Sequence, residues 1–426
     1  MTGGLIQLIS KGFIDNFIVE SPEITFFKSV FHRHTNFAIE TYENTFNSSN
    51  MFGSISECIL KDYGDLISDL IIKIDLPSLN GNVVFNTVCT KEICDCYCVK
   101  CHANGQKTIY SWANGIGHVI IDYVELQIGG KVINRHYGEW FEIWTELTQT
   151  NEKRPGYYEM IGKKEPINFS FSSFTGTMSL YVPLNFWFCR NIGYALPISA
   201  LYYEDVVLRI KWNDFNKCYV SNNNSKIKST PLFSASLLTD YVFLDIEERS
   251  KFLSDKLMYI FDQVQFIENF FNKSIRNPKF DLSSIQKPVK ELIWALQRDD
   301  IDNDWYNYGN NKNRLIVKGA VNDTFLSGKI ILNGVERFRE MKSQWFRLVQ
   351  PYKFHTRVPT NYIYNYCFSL KPEELQPTGS CNFSMFTNVY LYLYGVQIPV
   401  DYIIKLWAVN QNILLISDGI SGIAEF

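Results

Sequence analysis

The densest concentration of chemically capable residues is "CTKEICDCYCVKCH", positions 89 to 102, which gathers five of the ten cysteines and one of the six histidines. Its spacing is C-x4-C-x-C-x-C-x2-C-H. Thiolates and imidazole are the ligands of structural zinc, and Cys98 with Cys101 forms the C-x2-C knuckle such sites use, with Cys89, Cys94, Cys96 and His102 as completions. An extended chain across Cys94 to Cys98 would point three thiols one way, which suits neither a tetrahedral ion nor local disulfides. For Cys89, Cys94, Cys98, Cys101 and His102 the reading stays open between a structural zinc site, disulfides and free thiols. The other cysteines, Cys58, Cys189, Cys218, Cys367 and Cys381, are dispersed and read as small buried hydrophobes.

Three further groups could do chemistry. His32 and His34 in "HRH" would share one strand face as a metal pair, but no third ligand lies nearby, and a strand-edge or interface role is the simpler reading. His136 with Glu139, and His355 with Arg357, have the types needed for acid-base work. Nothing in the linear order brings either pair to a nucleophile, and buried or interfacial hydrogen bonding explains them with less assumption. Dinucleotide-binding, P-loop, H-E-x-x-H and G-x-S-x-G patterns do not occur, so no enzyme is expected.

The elements that must position these residues are mostly strands. At 426 residues the chain is long for one hydrophobic core, so two domains are expected. Aromatics reach 15%, which suits pleated sheets and extended contact surfaces. A net charge of -3 argues against a domain that coats nucleic acid. The amino-terminal residues lack the pattern of a secretory signal, and no apolar run approaches the ~20 residues needed to span a bilayer.

Period-two alternation is clearest in "DYVELQIGGKVINRHYG", where Gly129 and Gly130 mark a tight hairpin turn. It recurs in "EDVVLRIKW", with Val206, Leu208, Ile210 and Trp212 on one face, and in "NVYLYLYG", with Val389, Leu391 and Leu393 opposed to three tyrosines. "GEWFEIWTELTQ" reads instead as an amphipathic helix, with Trp140, Ile143, Trp144 and Leu147 on its stripe and Glu142 and Glu146 off it. "FDQVQFIENFF" fits helix or strand. The polar stretch at 213–231 suggests a domain boundary, and another at 297–314 a long loop.

Several long motifs resemble, in order, the major capsid proteins of large nucleocytoplasmic DNA viruses. They include "TGGLIQLIS", "SPEITFFKSVFHRHTNFAIE", "GDLISDLIIKIDLP", "NGIGHVIIDYVELQIGGKVINRHYGEWFEIWTELT" and "FWFCRNIGYALPISALYYEDVVLRI". The second half adds "RFREMKSQWFRLVQPYKFHTRVPTNYIYNYCFSLKPEELQPTGSCNFS" and "LWAVNQNILLISDGISGIA". Residues 78–108, with the cysteine run, match no pattern of the family, and 213–326 match weakly.

The resemblance implies an all-β double jelly roll: two eight-stranded antiparallel sandwiches with a few short helices in loops. The expected division is an arm over 1–21, a first roll over 22–215 with the insertion at 78–108, a linker over 216–231 and a second roll over 232–426. It further implies a homotrimer of pseudo-hexagonal outline tiling an icosahedral shell. The partners implied are neighbouring capsomers, minor capsid proteins and an internal membrane beneath the shell, with no direct nucleic acid and with assembly in the host cytoplasm. Leu5, Ile6, Leu8, Ile9, Phe13, Ile14 and Phe17 would be the grip of the arm on neighbouring subunits. The alternatives are a minor capsid paralogue, a poxvirus-like scaffold and, more distantly, a metal enzyme on jelly-roll domains.

Overall fold

The computed structural model describes residues 3–28, 34–48, 50–79, 110–164, 177–221, 227, 230–301, 304–311 and 323–424, in two units, Met1–Phe37 and Ala38–Phe426. In the first unit, α1 (Gly3–Ile9) and α2 (Phe13–Ile18) bury none of their residues. Their leucines, isoleucines and phenylalanines are exposed by half or more.

The second unit is built from strands in a repeated order. The first set is β1 (Phe37–Thr45), β2 (Ile55–Leu60), β3 (Leu66–Leu76), β4 (Ile121–Ile128), β5 (Lys131–Tyr137), β6 (Met178–Pro183), β7 (Val206–Trp212) and β8 (Ser234–Leu244). These make two sheets, ordered β1-β8-β3-β6 and β2-β7-β4-β5. The second set is β9 (Leu257–Phe271), β10 (Lys279–Asp281), β11 (Pro288–Arg298), β12 (Ser327–Leu332), β13 (Val335–Glu336), β14 (Tyr364–Cys367), β15 (Val389–Tyr394) and β16 (Tyr402–Ser417). Its sheets run β9-β16-β11-β14 and β10-β15-β12-β13, which is the first order with eight added to each strand. This is the expected double jelly roll.

Local chemistry explains the repeated hairpin. Gly129 and Gly130 turn β4 into β5 with φ of 56° and 76°, and Asn333 and Gly334 turn β12 into β13 with φ of 46° and 84°. Two successive left-handed residues form the turn whose twist matches paired strands, and Gly and Asn adopt it at least cost. Alternation then sorts the faces. Val206, Leu208, Ile210 and Trp212 of β7 are buried, as are Val389, Leu391 and Leu393 of β15. The ambiguous "FDQVQFIENFF" lies within strand β9, paired along its length with β16.

The expected boundary at 216–231 is corrected. Tyr219–Ser221, inside that stretch, pairs with Tyr110–Trp112, and β8 beyond it pairs with β3 from Ser234 to Val242. The first sandwich therefore extends to Leu244, and helix α5 (Ile246–Ser254), which follows α3 (Gly138–Thr148) and α4 (Arg154–Met160) in the chain, leads into the second. The polar composition marks a connection within the first sandwich, because the closing strand of a jelly roll returns to the middle of the opening sheet. The loop expected at 297–314 is also more buried than its polarity suggests: Ile301, Tyr306 and Tyr308 are all in the interior.

Among the described residues two large clusters form most of the core, beside a small one of Leu66, Ala195 and Val242. Leu292, Trp294, Leu296, Ile404 and Leu406 point into the second sandwich. Their neighbours Ile293, Ala295, Trp407 and Val409 point the other way and join the core of the first. The sheet β9-β16-β11-β14 is thus covered on both faces, and β11 has no exposed residue.

Candidate functional site

The site with the most buried charge lies where the two sandwiches meet. Helix α3 (Gly138–Thr148) continues directly from β5. Gly138 is required there: a Cβ would stand 2.1 Å from the Ile121 carbonyl oxygen and 2.5 Å from that of His118. Trp140, Ile143, Trp144 and Leu147 are buried as the stripe predicts. Glu142 and Glu146 are buried too, each 0% exposed, which the stripe did not predict.

Both carboxylates meet cations. Lys163, just after helix α4 (Arg154–Met160), places Nζ 2.5 Å from Glu142 Oε1 and 3.3 Å from Glu146 Oε1. His118 Nδ1 lies 3.3 Å from Glu142 Oε2, and its Nε2 lies 2.9 Å from the Tyr157 hydroxyl. Burial pushes the Glu142 carboxyl up, but the Lys163 charge and the His118 ring outweigh it and bring it down to about 2. Burial likewise disfavours the Lys163 ammonium, while the two glutamates hold it well above the ordinary lysine range.

The same glutamate reaches the second sandwich. Glu146 Oε2 accepts from the Thr360 backbone N–H at 3.1 Å, from Thr360 Oγ1 at 2.9 Å and from Arg357 Nη2 at 3.4 Å. The Arg357 N–H donates in turn to the Leu147 carbonyl at 2.9 Å. A second link runs through Asp262 of β9, whose carboxylate takes Arg190 Nη2 at 2.6 Å and Lys290 Nζ at 3.1 Å. Asn134 Nδ2 donates to the Asp262 carbonyl at 2.9 Å, and Gln263 Nε2 to the Ile133 carbonyl at 2.6 Å. Lys405 of β16 donates to Glu139, closing a third link.

What this seam does chemically is fix geometry. Its charges are paired, desolvated and spread over both sandwiches, so removing one partner strands another in low dielectric, at a cost of about 3–5 kcal/mol. Saturated carboxylates of this kind clamp two bodies in one orientation.

The histidines singled out by sequence are placed as follows. His136 is fully buried against Phe186, ring centroids 4.8 Å apart, and burial pushes its pKa down to about 3. Glu139 is on Lys405 and not on His136. His355 lies between Glu291 and Glu373, while Arg357 serves Glu146, so the two do not form a pair. Glu139, His355 and Arg357 thus serve in buried and interfacial hydrogen bonds, whereas His136 packs on aromatic rings and its Nδ1 has no hydrogen-bond partner among the described residues. His34 is exposed, with Nδ1 2.7 Å from the Thr35 carbonyl, and His32 lies outside the described residues. So do Cys89, Cys94, Cys96, Cys98, Cys101 and His102. Among the dispersed cysteines, Cys58, Cys218 and Cys367 are buried, and Cys189 and Cys381 half-buried. The roles of Glu142, Glu146, Lys163 and Asp262 were not anticipated; the only local signal was two glutamates one turn apart beside tryptophans.

Residues 25–245 match the family described as major capsid protein N-terminus, and residues 248–422 that described as large eukaryotic DNA virus major capsid protein. The chain belongs to the major capsid protein family of large eukaryotic DNA viruses. The junction between the two matches falls at α5, where the strand pairing places it. A major capsid protein of Pyramimonas orientalis virus is 34% identical over 450 residues, covering 100% of this chain and 99% of the relative. That of Paramecium bursaria Chlorella virus 1 is 29% identical over 477 residues, again covering 100% and 99%.

Among solved structures, the PBCV-1 virus capsid matches with a TM-score of 0.76 at 26% identity, covering 94% of this chain and 100% of that one. The Faustovirus major capsid protein has the same fold, with a TM-score of 0.76 at 11% identity, covering 96% and 94%. The capsid protein described here is accordingly a structural protein of the virion, a subunit of its shell that associates with copies of itself in neighbouring capsomers. Within each subunit the seam joins the two sandwiches through buried ion pairs and hydrogen bonds.

Proposed function

We propose that this protein is the major capsid subunit, that three copies form a homotrimer of pseudo-hexagonal outline, and that these trimers tile an icosahedral shell. The observation that carries the reading is the repeated strand order. A chain holding two sandwiches of one topology lets a threefold assembly present six similar bodies, and six similar sides pack in a plane. The clamped seam supports it, because a hexagonal outline requires the two sandwiches to keep one mutual angle.

The amino-terminal unit has the character of a tie between subunits. Leu8, Ile9, Phe13, Ile14 and Phe17 are between 64% and 86% exposed, an apolar surface that calls for a cover. Minor capsid proteins and an internal membrane beneath the shell are its further partners, assembly takes place in the host cytoplasm, and no nucleic acid is bound directly, in keeping with a net charge of -3. The protein works without catalysis, as its family does.

Light scattering of the purified protein tests the trimer. A mass of three times 49.6 kDa is expected, and a stable monomer at micromolar concentration would overturn it. The most abundant protein of mature particles should be this chain; absence from them would favour a scaffold.

A further inference from the structure

The second sandwich holds a buried cluster that the assembly reading does not use. Glu291 of β11 stands opposite Cys367 of β14 in the strand register. His355 follows directly on helix α6 (Gln350–Phe354), and its ring enters the same space. Glu291 Oε2 lies 2.8 Å from His355 Nε2 and 3.7 Å from Cys367 Sγ, and the sulfur lies 3.9 Å from Nε2. The side chains of Glu291 and His355 are 0% exposed, and Cys367 is buried.

We propose that Glu291, His355 and Cys367 form a structural zinc site. One thiol, one imidazole and one carboxylate are a donor set for a borderline-soft divalent cation, and sulfur with nitrogen selects zinc over magnesium or calcium. With Zn–S ~2.3 Å and Zn–N and Zn–O ~2.0 Å, a tetrahedral ion needs edges of ~3.6 Å from sulfur and ~3.3 Å between nitrogen and oxygen. The observed edges depart from these by about half an ångström or less.

Three surrounding features point the same way. His355 Nδ1 is 3.0 Å from Glu373 Oε1, which also accepts from the Thr356 N–H at 2.7 Å. A carboxylate that fixes the far nitrogen of an imidazole is the usual support of a histidine ligand. Asn365 Nδ2 points at the Cys367 sulfur from 3.6 Å, a donor suited to a thiolate. The second oxygen of the Glu291 carboxylate is buried with no hydrogen-bond partner among the described residues, which leaves the carboxylate free to turn toward an ion. Alternation puts Glu291 on the face of Ile293 and Ala295, outside the second sandwich's own core. The ion would therefore pin helix α6 and the Glu373 loop onto β11 and β14 from outside the sandwich; closed on every side, it has a structural role.

The cysteine run at 89–102 could bind zinc by itself, so the test removes it. The full chain carrying Cys89→Ser, Cys94→Ser, Cys96→Ser, Cys98→Ser and Cys101→Ser is saturated with zinc, desalted and analysed by atomic emission. About one zinc per chain is expected. Loaded with cobalt, the same protein should show a thiolate-to-metal charge-transfer band that disappears on adding Cys367→Ser. A desalted protein that retains no zinc overturns the site without any ligand having been altered, and a band that survives Cys367→Ser overturns it as well.

Discussion

Strands β3 and β11 occupy the same place in the two sandwiches, yet their surroundings differ. Along β3 buried and half-buried residues alternate over most of its length, as in a sheet covered on one face. Along β11 every residue after Pro288 is buried, including Lys290, Glu291, Gln297 and Arg298. One topology thus yields two chemical environments, because only the second sandwich has its opening sheet pressed against another body. Polar residues on such a strand are not solvent-facing; they are partners in buried pairs, as Lys290 is to Asp262. Topology fixes the order of the strands, and neighbours decide what their outward faces mean.

The largest expected effect would come from emptying the doubly covered sheet. Trp407→Ala should cost about 3–5 kcal/mol by denaturant titration, since the ring lies fully buried against Phe266 at 5.4 Å and packs on the first core. Tyr392→Ala, on the half-buried face of β15, should cost under about 1 kcal/mol. Equal losses would remove the distinction between the sheets.

An intermediate effect concerns acid. His136 belongs to the first sandwich, and burial lowers its pKa from 6.5 to about 3. The unfolded chain then takes up a proton that the folded chain refuses, so the contribution is complete above 6.5 and is lost as pH falls through the window down to about 3. Stability at about pH 5 should be lower than at about pH 8 by roughly 2 kcal/mol from this group. His136→Phe should flatten that limb of a stability-versus-pH curve, and an unchanged slope would assign the acid sensitivity elsewhere.

The smallest effect should be equal in the two halves. Gly130 and Gly334 share φ of 76° and 84°, and a Cβ at either would meet nothing within 4 Å. Gly130→Ala and Gly334→Ala should each lower stability by about 1 kcal/mol through backbone strain alone. A marked inequality in their melting shifts would mean that the hairpins are not equivalent.

Most of the sandwich architecture was legible in the sequence, because alternation and turn chemistry are local. The Gly129-Gly130 hairpin, β7, β15 and the α3 stripe could each be read from a dozen residues. The boundary could not, since Asn, Ser and Lys at 213–231 look alike whether they join domains or strands. The seam was hidden for a different reason. Glu146 and Arg357 are 211 positions apart on different sandwiches, so their pairing exists only once both are closed, and Glu291 and His355, 64 apart, meet only when the second sandwich folds. A glutamate off an apolar stripe reads as solvated until the body that covers it is known.

The strand order also bears on how the polypeptide is made. β8 fills the slot between β1 and β3, and β16 the slot between β9 and β11. As the ribosome delivers the chain, each opening sheet waits with two unpaired edges until the last strand of its sandwich emerges. The second remains open until its last strand, Tyr402–Ser417, has emerged. A nascent or prematurely terminated chain therefore exposes sticky β edges, the hallmark of aggregation. Folding helpers that shield those edges during synthesis should raise the yield of the full-length protein more than helpers acting after release.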